Sequence, residues 1–549
     1  MKKIIAFTSV LLSTLILFTG CHKDLDKLPP NTETAVGLYS SESGYLSVLA
    51  KVYGSMALTG NVGPAGAGDV AGIDEGTSDF LRLFWKAQEL STDEAVVAWN
   101  DPGIQDFHNM NWSSANPMLK GLYYRSIYVI TLCNEFIRES ADDKLSSRGI
   151  SGKAADNIRA MRAESRFVRA FQYWVLMDLY ANPTFITEND KIGTFQPNQI
   201  SRPELFKYIN NELTALESQL SEPGAAGYGR VDKAALWAFK ARLWLNAETY
   251  IPASAFATWP APDGPLTAAK IYDNAVLNAD KVIKSNRYSV KNNNYTSLFL
   301  ADNNSNGSQR EFIWSLNYDG VRTKNFGGTT FLVNASVGGD MNTSVSGLGG
   351  WGGLRTTKNL PLLFPDFTGA IDKRAQFVQG SQNIEIDNIS EFKDGLAVVK
   401  YRNRTSTGAF GSDPEKTFSD IDFPVFRLPE MYLIYAEGVA RGSTKGTVGQ
   451  SVILINELRE RAYGNNLGNI NAVDINPEFI LDERARELYW EGHRRTDLIR
   501  YNKFWQASYL WPWKGGVKNG TAVSEFRKIY PIPDSEIASN PKIKQNSGY

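Results

Sequence analysis

The sequence predicts a mainly α-helical protein, a scaffold of tetratricopeptide-like helix pairs that carries an irregular, loop-rich and few-stranded ligand-binding region. Three observations lead there. Apolar and small residues recur at helical spacing in two blocks, about residues 150–285 and 426–505. In about 60–112 and 286–425 that periodicity fades into segments rich in Gly, Asn, Ser and Thr. The helical blocks follow no strict repeat length, so paired hairpins are expected rather than a regular array.

The chain opens with Lys2 and Lys3 and then an apolar stretch over 4–18. Such a stretch is too short to span a bilayer comfortably, and reads as a secretory signal peptide over 1–20. It ends in Leu17-Phe18-Thr19-Gly20-Cys21, which is similar to the acylation site of bacterial lipoproteins. Cys21 is therefore the expected lipid attachment, residues 21–36 a polar tether, and residues 37–549 a single globular unit of more than 500 residues. No later apolar run is long enough to cross a membrane, so the lipid is the expected membrane contact. The other cysteine, Cys133, lies on an apolar helical stripe with Ile127, Ile130 and Ile137 and reads as a core residue. With no disulfide pair, the core alone must hold the fold. A net charge of −1 gives no electrostatic case for a nucleic-acid partner.

The helices follow in order. Ile158, Met161, Val168, Phe171 and Val175 share one side of a helix over 158–180. Asn182-Pro183 ends it, because the residue before proline avoids the α region. Ser201-Arg202-Pro203-Glu204 opens the next with a capping serine and an early proline. A helix beginning at Asp232 carries Ala234, Trp237, Ala241, Trp244 and Leu245. Its partner carries Tyr272, Ala275, Val276, Ala279 and Ile283. Alternating alanines and aromatics let two helices approach closely. The C-terminal block contains helices over 428–440 and 452–463, then a stripe of Leu481, Ala485 and Leu488. Phe312-Ile313-Trp314 and Leu396-Ala397-Val398-Val399 suggest short strands. The irregular segments 60–80 and 337–353 are long enough to be binding loops.

Signatures of catalysis are missing. The three histidines, His22, His108 and His493, form no metal-ligand spacing, and no Cys/His cluster, nucleophile elbow or phosphate-binding loop occurs. Glycoside hydrolysis needs only two carboxylates. Asp74-Glu75 and Asp93-Glu94 offer them, but adjacent acids normally serve loops and caps. No catalytic residue is assigned and no enzyme is expected. The charged stretch 482–500 could be a clamp for an anion, but its acids and bases nearly balance and it shares a helix with an apolar stripe. It reads as ion pairs joining helices, with Asp482–Arg486 and Asp497–Arg500 at helical spacing. Trp351 stands out within Gly349-Gly350-Trp351-Gly352-Gly353, where no helix or strand would bury it.

Several motifs then point to a family. They are Arg162-Ala163-Glu164-Ser165-Arg166, Phe426-Arg427-Leu428-Pro429-Glu430, Ile455-Asn456-Glu457-Leu458-Arg459, Glu483-Arg484-Ala485-Arg486-Glu487, Glu491-Gly492-His493-Arg494-Arg495-Thr496-Asp497-Leu498 and Tyr530-Pro531-Ile532-Pro533. Together they resemble the SusD family of Bacteroidetes surface lipoproteins. Asp74-Glu75-Gly76, Ala98-Trp99, residues 320–333 and Tyr509-Leu510-Trp511-Pro512-Trp513 are similar to the family's starch-binding members.

The resemblance implies a lipoprotein on the outer face of the outer membrane. It would bind starch or maltooligosaccharides on an arc of aromatic rings and pass them to a SusC-like TonB-dependent transporter. The rings fall on Trp99, Phe326 and Trp351 and the polar contacts on Asp74, Arg82 and either Asn100 or Asp101. Phe326 stands where a tyrosine is expected, which keeps a stacking ring without its hydroxyl. The acidic pair that suggests a structural calcium site in relatives reads Asn304-Ser305 here, after Asp302. The implied ligand set is incomplete, and neither a cofactor nor a metal is assigned. Another glycan within the same family, and a glycoside hydrolase, are the alternative readings.

Overall fold

In a computed structural model the described residues are 35–549, apart from 65, 192, 194, 261–263, 292–293, 339–340, 342 and 379. The expected signal peptide, Cys21 and all of the tether but its last two residues lie outside the described residues. Those two open a short helix, Ala35–Leu38.

The principal elements, in chain order, begin with α1 (Glu42–Ala57), α2 (Phe80–Glu89), strand β1 (Val96–Val97), α3 (Pro117–Glu139) and α4 (Gly152–Tyr180). Helices α5 (Arg202–Leu216), α6 (Lys233–Leu245) and α7 (Ala268–Lys284) follow, then β2 (Phe312–Leu316), α8 (Gly328–Ala335) and β3 (Leu354–Arg355). The chain closes with β4 (Phe423–Arg427), α9 (Leu428–Ala440), α10 (Val448–Tyr463), α11 (Pro477–Leu488) and α12 (Arg494–Arg500). The molecule is mainly helical, as expected, and its strands among the described residues form short antiparallel pairs: β1 with β3, β2 with β4, and Thr184–Phe185 with Asn198–Gln199.

The helices stack in succession, α3 on α4, α4 on α5, α6 on α7, α7 on α9 and α9 on α10. Capping explains several starts. Asp232 accepts hydrogen bonds from the backbone N–H groups of Ala234 and Ala235, and Thr447 accepts from that of Gln450. Ser201 precedes α5 as expected, yet its side chain makes no capping bond; Asn182 Oδ1 instead accepts from the Arg202 N–H at 2.9 Å. The turn that ends one helix therefore caps the next.

Three expectations need correction. The apolar run 396–399 forms no strand, only isolated bridges from Leu396 to Thr356 and from Val398 to Phe377. Helices also extend beyond the two expected blocks, to α1 and the whole of α3, and into the loop-rich regions as α2 and α8. Every residue of α2 is buried; Arg82, Lys86 and Glu89 share one side of the helix, but that side meets other protein rather than water. Finally, Arg486 pairs with Glu483 at 2.8 Å rather than with Asp482, because Glu483 lies on the side of α11 that faces the interior.

The rest of the charged stretch does join elements as expected. Glu483 also pairs with Arg374 and Arg459, each at 2.8 Å. Arg427, at the junction of β4 and α9, pairs with Glu487 and Glu491, both at 2.6 Å, while Lys400 meets Glu491 at 2.7 Å. Asp497 holds Arg484 at 2.7 Å and Arg500 at 2.8 Å, and Arg500 reaches Glu437 on α9 at 2.7 Å. All these groups but half-buried Arg459 are essentially out of solvent. Each charge there is tolerable only because an opposite one meets it.

Candidate carbohydrate-binding surface

Trp99 lies more than 200 positions before Phe326 and Trp351 in the sequence, and the fold brings the three together. The ring centroids of Trp99 and Trp351 are 6.4 Å apart with planes inclined at 46°. Those of Trp351 and Phe326 are also 6.4 Å apart, at 57°. Neighbouring rings are thus well away from coplanar, and the three do not form a flat surface. Trp351 is 36% exposed, while Trp99 and Phe326 are half-buried.

Backbone pairing presents each ring. Trp99 follows β1, whose partner β3 directly follows the Trp351 turn, and the Ala98 N–H donates to Gly353 O at 2.8 Å. The Trp99 indole N–H donates to Trp351 O at 3.3 Å. A Cβ on Gly353 would lie 2.3 Å from Cε2 of Trp99, so only glycine lets the chain pass this close to the ring. The Trp351 turn is in turn tied to the end of α8. Trp351, Gly352 and Gly353 N–H groups donate to the carbonyls of Asn334, Val337 and Ala335 at 2.7–2.9 Å.

Arg82, on α2, clasps the loops. Its Nη1 donates to Gly76 O at 3.0 Å and to Phe326 O at 2.9 Å, and its guanidinium lies 4.6 Å from the Phe331 ring centre and 5.7 Å from that of Trp351. Nη2 makes no hydrogen bond among the described residues. Burial lowers the Arg82 pKa to about 10, against the opposing charges of Asp79, Asp101 and Asp74. It stays cationic at neutral pH. Asp74, Asn100 and Asp101 are exposed at the rim, and the two carboxylates lie within electrostatic reach of Arg82.

Sequence reasoning missed the supports beneath. Asp79, fully buried, caps α2 through the Arg82 N–H and accepts from the Gly328 N–H at 3.0 Å, which ties α2 to α8 and the Phe326 loop. Phe331 lies under Trp99 at 6.3 Å and against Trp85 at 5.7 Å. Trp85 packs edge-on to Trp490 at 5.1 Å, and Trp490 donates both its backbone N–H and its indole N–H to Glu94 at 3.0 Å. Arg494 grips Asp93 at 2.6 Å. The acidic pair Asp93-Glu94 is therefore a buried anchor between the charged stretch and the turn that carries Trp99. Only the placement of Asp79 directly before the apolar start of α2 could have hinted at this cap.

His108 and His493 are buried, as is Cys133, whose thiol pKa burial pushes up to about 12. Among the described residues no group of three or more His, Cys, Asp and Glu side chains is placed to hold a metal. The Asp302 carboxylate accepts from the Ser406 N–H and hydroxyl and from Asn306 Nδ2.

The scaffold is shared with solved structures of low sequence identity. Surface glycan-binding protein A from Bacteroides fluxus superposes with a TM-score of 0.69 at 20% identity, covering 93% of this chain and 100% of that one. Surface glycan-binding protein A from Bacteroides thetaiotaomicron, solved with laminarihexaose, gives 0.65 at 19% identity, with 92% and 99% covered. These show the class of fold, a mainly helical scaffold shared along the whole of each chain. The SusD family model matches residues 365–549. The starch-binding protein SusD of Bacteroides thetaiotaomicron is 33% identical over 97% of this chain and 96% of its own length. The chain belongs to the SusD family.

Proposed function

We propose that this protein binds an α-glucan, starch or maltooligosaccharide, on the surface formed by Trp99, Trp351 and Phe326. The observation that carries the reading is the tilt between neighbouring rings. A pyranose presents C–H groups on its faces, which suit the negative faces of aromatic rings. Rings turned by 46° and 57° fit a chain that curves, and a flat ribbon of sugars would meet only one of them. Arg82 Nη2 and the rim groups Asp74 and Asp101 are placed to hydrogen-bond hydroxyls, and charged partners make such bonds strong. Asp101, within reach of Arg82, is favoured over Asn100 as the contact beside Trp99. A curved β-glucan would also match the tilts, and a distant relative was solved with laminarihexaose. The 33% identity to a starch-binding protein favours the α-linkage.

In this reading the protein captures glycan without cleaving it. A diacyl anchor on Cys21 would hold it on the outer face of the outer membrane, where it would hand the chain to a SusC-like transporter. Affinity electrophoresis in amylopectin tests the site. Wild type should be retarded, and Trp351→Ala should migrate freely while its circular dichroism stays unchanged. Unaltered retardation of a folded Trp351→Ala would refute the assignment.

A further inference from the structure

Beside the aromatic surface, two cavities flank a single turn. One, of about 370 Å³, is lined by Tyr228, Tyr288, Arg287, Arg310 and the β2 residues Phe312–Ser315. The other, of about 320 Å³, lies between the α1 residues Tyr53, Gly54 and Ala57 and the segment containing Asn317 and Thr323. Tyr228, Gly229, Arg230 and Ser315 line both. Volumes near 300 Å³ and above are typical of sites for small molecules.

The turn between them repeats the device that displays Trp351. Tyr228 sits between Gly227 (φ +92°) and Gly229 (φ +78°), as Trp351 sits between Gly350 and Gly352 (φ +59°). Tyr228 is 42% exposed, yet its hydroxyl donates to buried Asp422 at 2.8 Å, which fixes the ring while leaving much of it in solvent. Core packing does not account for a large ring held this way. Arg287 and Arg310, both exposed, make no ion pair or side-chain hydrogen bond among the described residues. The second cavity is also linked to the glucan surface through the chain. Thr323 on its rim is three residues from Phe326, and Asn325 between them donates to Ala57 O, on the cavity wall, at 2.7 Å.

We propose that Tyr228 is the stacking platform of a second glycan subsite, filled by the continuation of the chain held at Trp99, Trp351 and Phe326. Arg287 and Arg310 supply its hydroxyls with donors. The subsite rests on the glucan reading above and adds length dependence to it: chains long enough to leave the first surface gain a second hold.

The test compares maltopentaose, by titration calorimetry, with amylopectin, by affinity electrophoresis. Tyr228→Ala should weaken amylopectin retention about tenfold, the effect of about 1.4 kcal/mol, with maltopentaose affinity unchanged. Trp351→Ala should weaken both. A folded Tyr228→Ala that retains amylopectin like wild type overturns the subsite, and so does one that loses both ligands equally. If Tyr228→Ala fails to fold, the double variant Arg287→Ala/Arg310→Ala, altered only at exposed side chains, decides. It should lose amylopectin retention selectively, and wild-type retention overturns the proposal. Wild type that binds neither ligand overturns the glucan reading and the subsite with it, whereas loss of the subsite alone leaves the first surface intact.

Discussion

At the scale of single residues, the rings contribute unequally. Capture by a few stacked rings is weak, about 4–8 kcal/mol in total for millimolar to micromolar binding. Loss of one ring, at about 1–3 kcal/mol by analogy with stacking on nucleic-acid bases, is then a large fraction. Trp99→Ala should therefore abolish retention on insoluble starch as Trp351→Ala does, but it also vacates space between Phe331 and Gly353. A pull-down paired with a melting curve should show lost binding together with a lowered Tm for Trp99→Ala, and lost binding alone for Trp351→Ala. Phe326→Tyr regains one hydroxyl worth about 1 kcal/mol or less net, so calorimetry should show at most about a fivefold gain. Trp351 was legible in the sequence because glycines on both sides leave a ring nothing to pack on. The support under it was not: Asp79, Phe331 and Gly353 are ordinary residues whose roles exist only once α2, α8 and β3 meet.

At the scale of elements, the charged stretch works as a joint. Glu487 is fully buried and meets Arg427, Arg461 and Arg374. Burial alone would raise its pKa, but the three guanidiniums override this and hold it at about 2, below the ordinary 4.5. A depressed carboxylate contributes stability that is present above 4.5 and lost as pH falls toward 2. Glu487→Ala would strand buried arginines and should cost about 3–5 kcal/mol, read as a lowered urea midpoint at pH 7 with glucan affinity unchanged in the folded fraction. Asp497→Ala should behave alike, since it strands Arg484 and Arg500. Loss of sugar binding at an unchanged midpoint would contradict this structural role. Helical spacing in the sequence identified Asp497–Arg500, but it misassigned Arg486. Spacing alone allows both Asp482 and Glu483 as partners, and only the direction each side chain takes from α11 chooses between them.

For the whole molecule, stability should also respond on the neutral side of pH. Burial pushes the Asp422 carboxyl from 3.8 up to about 7, against hydrogen bonds from the Tyr318 N–H and the Tyr228 hydroxyl. A raised carboxyl stabilises the fold below pH 3.8, and that contribution is lost as pH rises through 7. Asp422→Asn should therefore flatten the decline between pH 4.5 and 7.5, by up to about 3 kcal/mol, in urea unfolding followed across that range. The anchor is a separate matter: Cys21→Ala should abolish labelling with a palmitate analogue and release the protein from the membrane. The mainly helical character and the order of the C-terminal helices were legible because their apolar stripes repeat every three to four residues. Helix α2 was overlooked although Arg82, Lys86 and Glu89 recur at helical spacing, because it is short and follows directly on the irregular segment 60–80, and the run 396–399 misled because a short apolar stretch can pack without pairing.

The central claim is that the rings of Trp99, Trp351 and Phe326 bind a curved glucan and that this glucan is α-linked. Calorimetric titration of the wild-type protein with maltoheptaose and with laminarihexaose, repeated on Trp351→Ala, tests it most directly. The account predicts saturable binding of maltoheptaose, weaker or no binding of laminarihexaose, and loss of the maltoheptaose signal in the variant. Tighter binding of laminarihexaose, or a folded Trp351→Ala that still binds maltoheptaose like wild type, would contradict it.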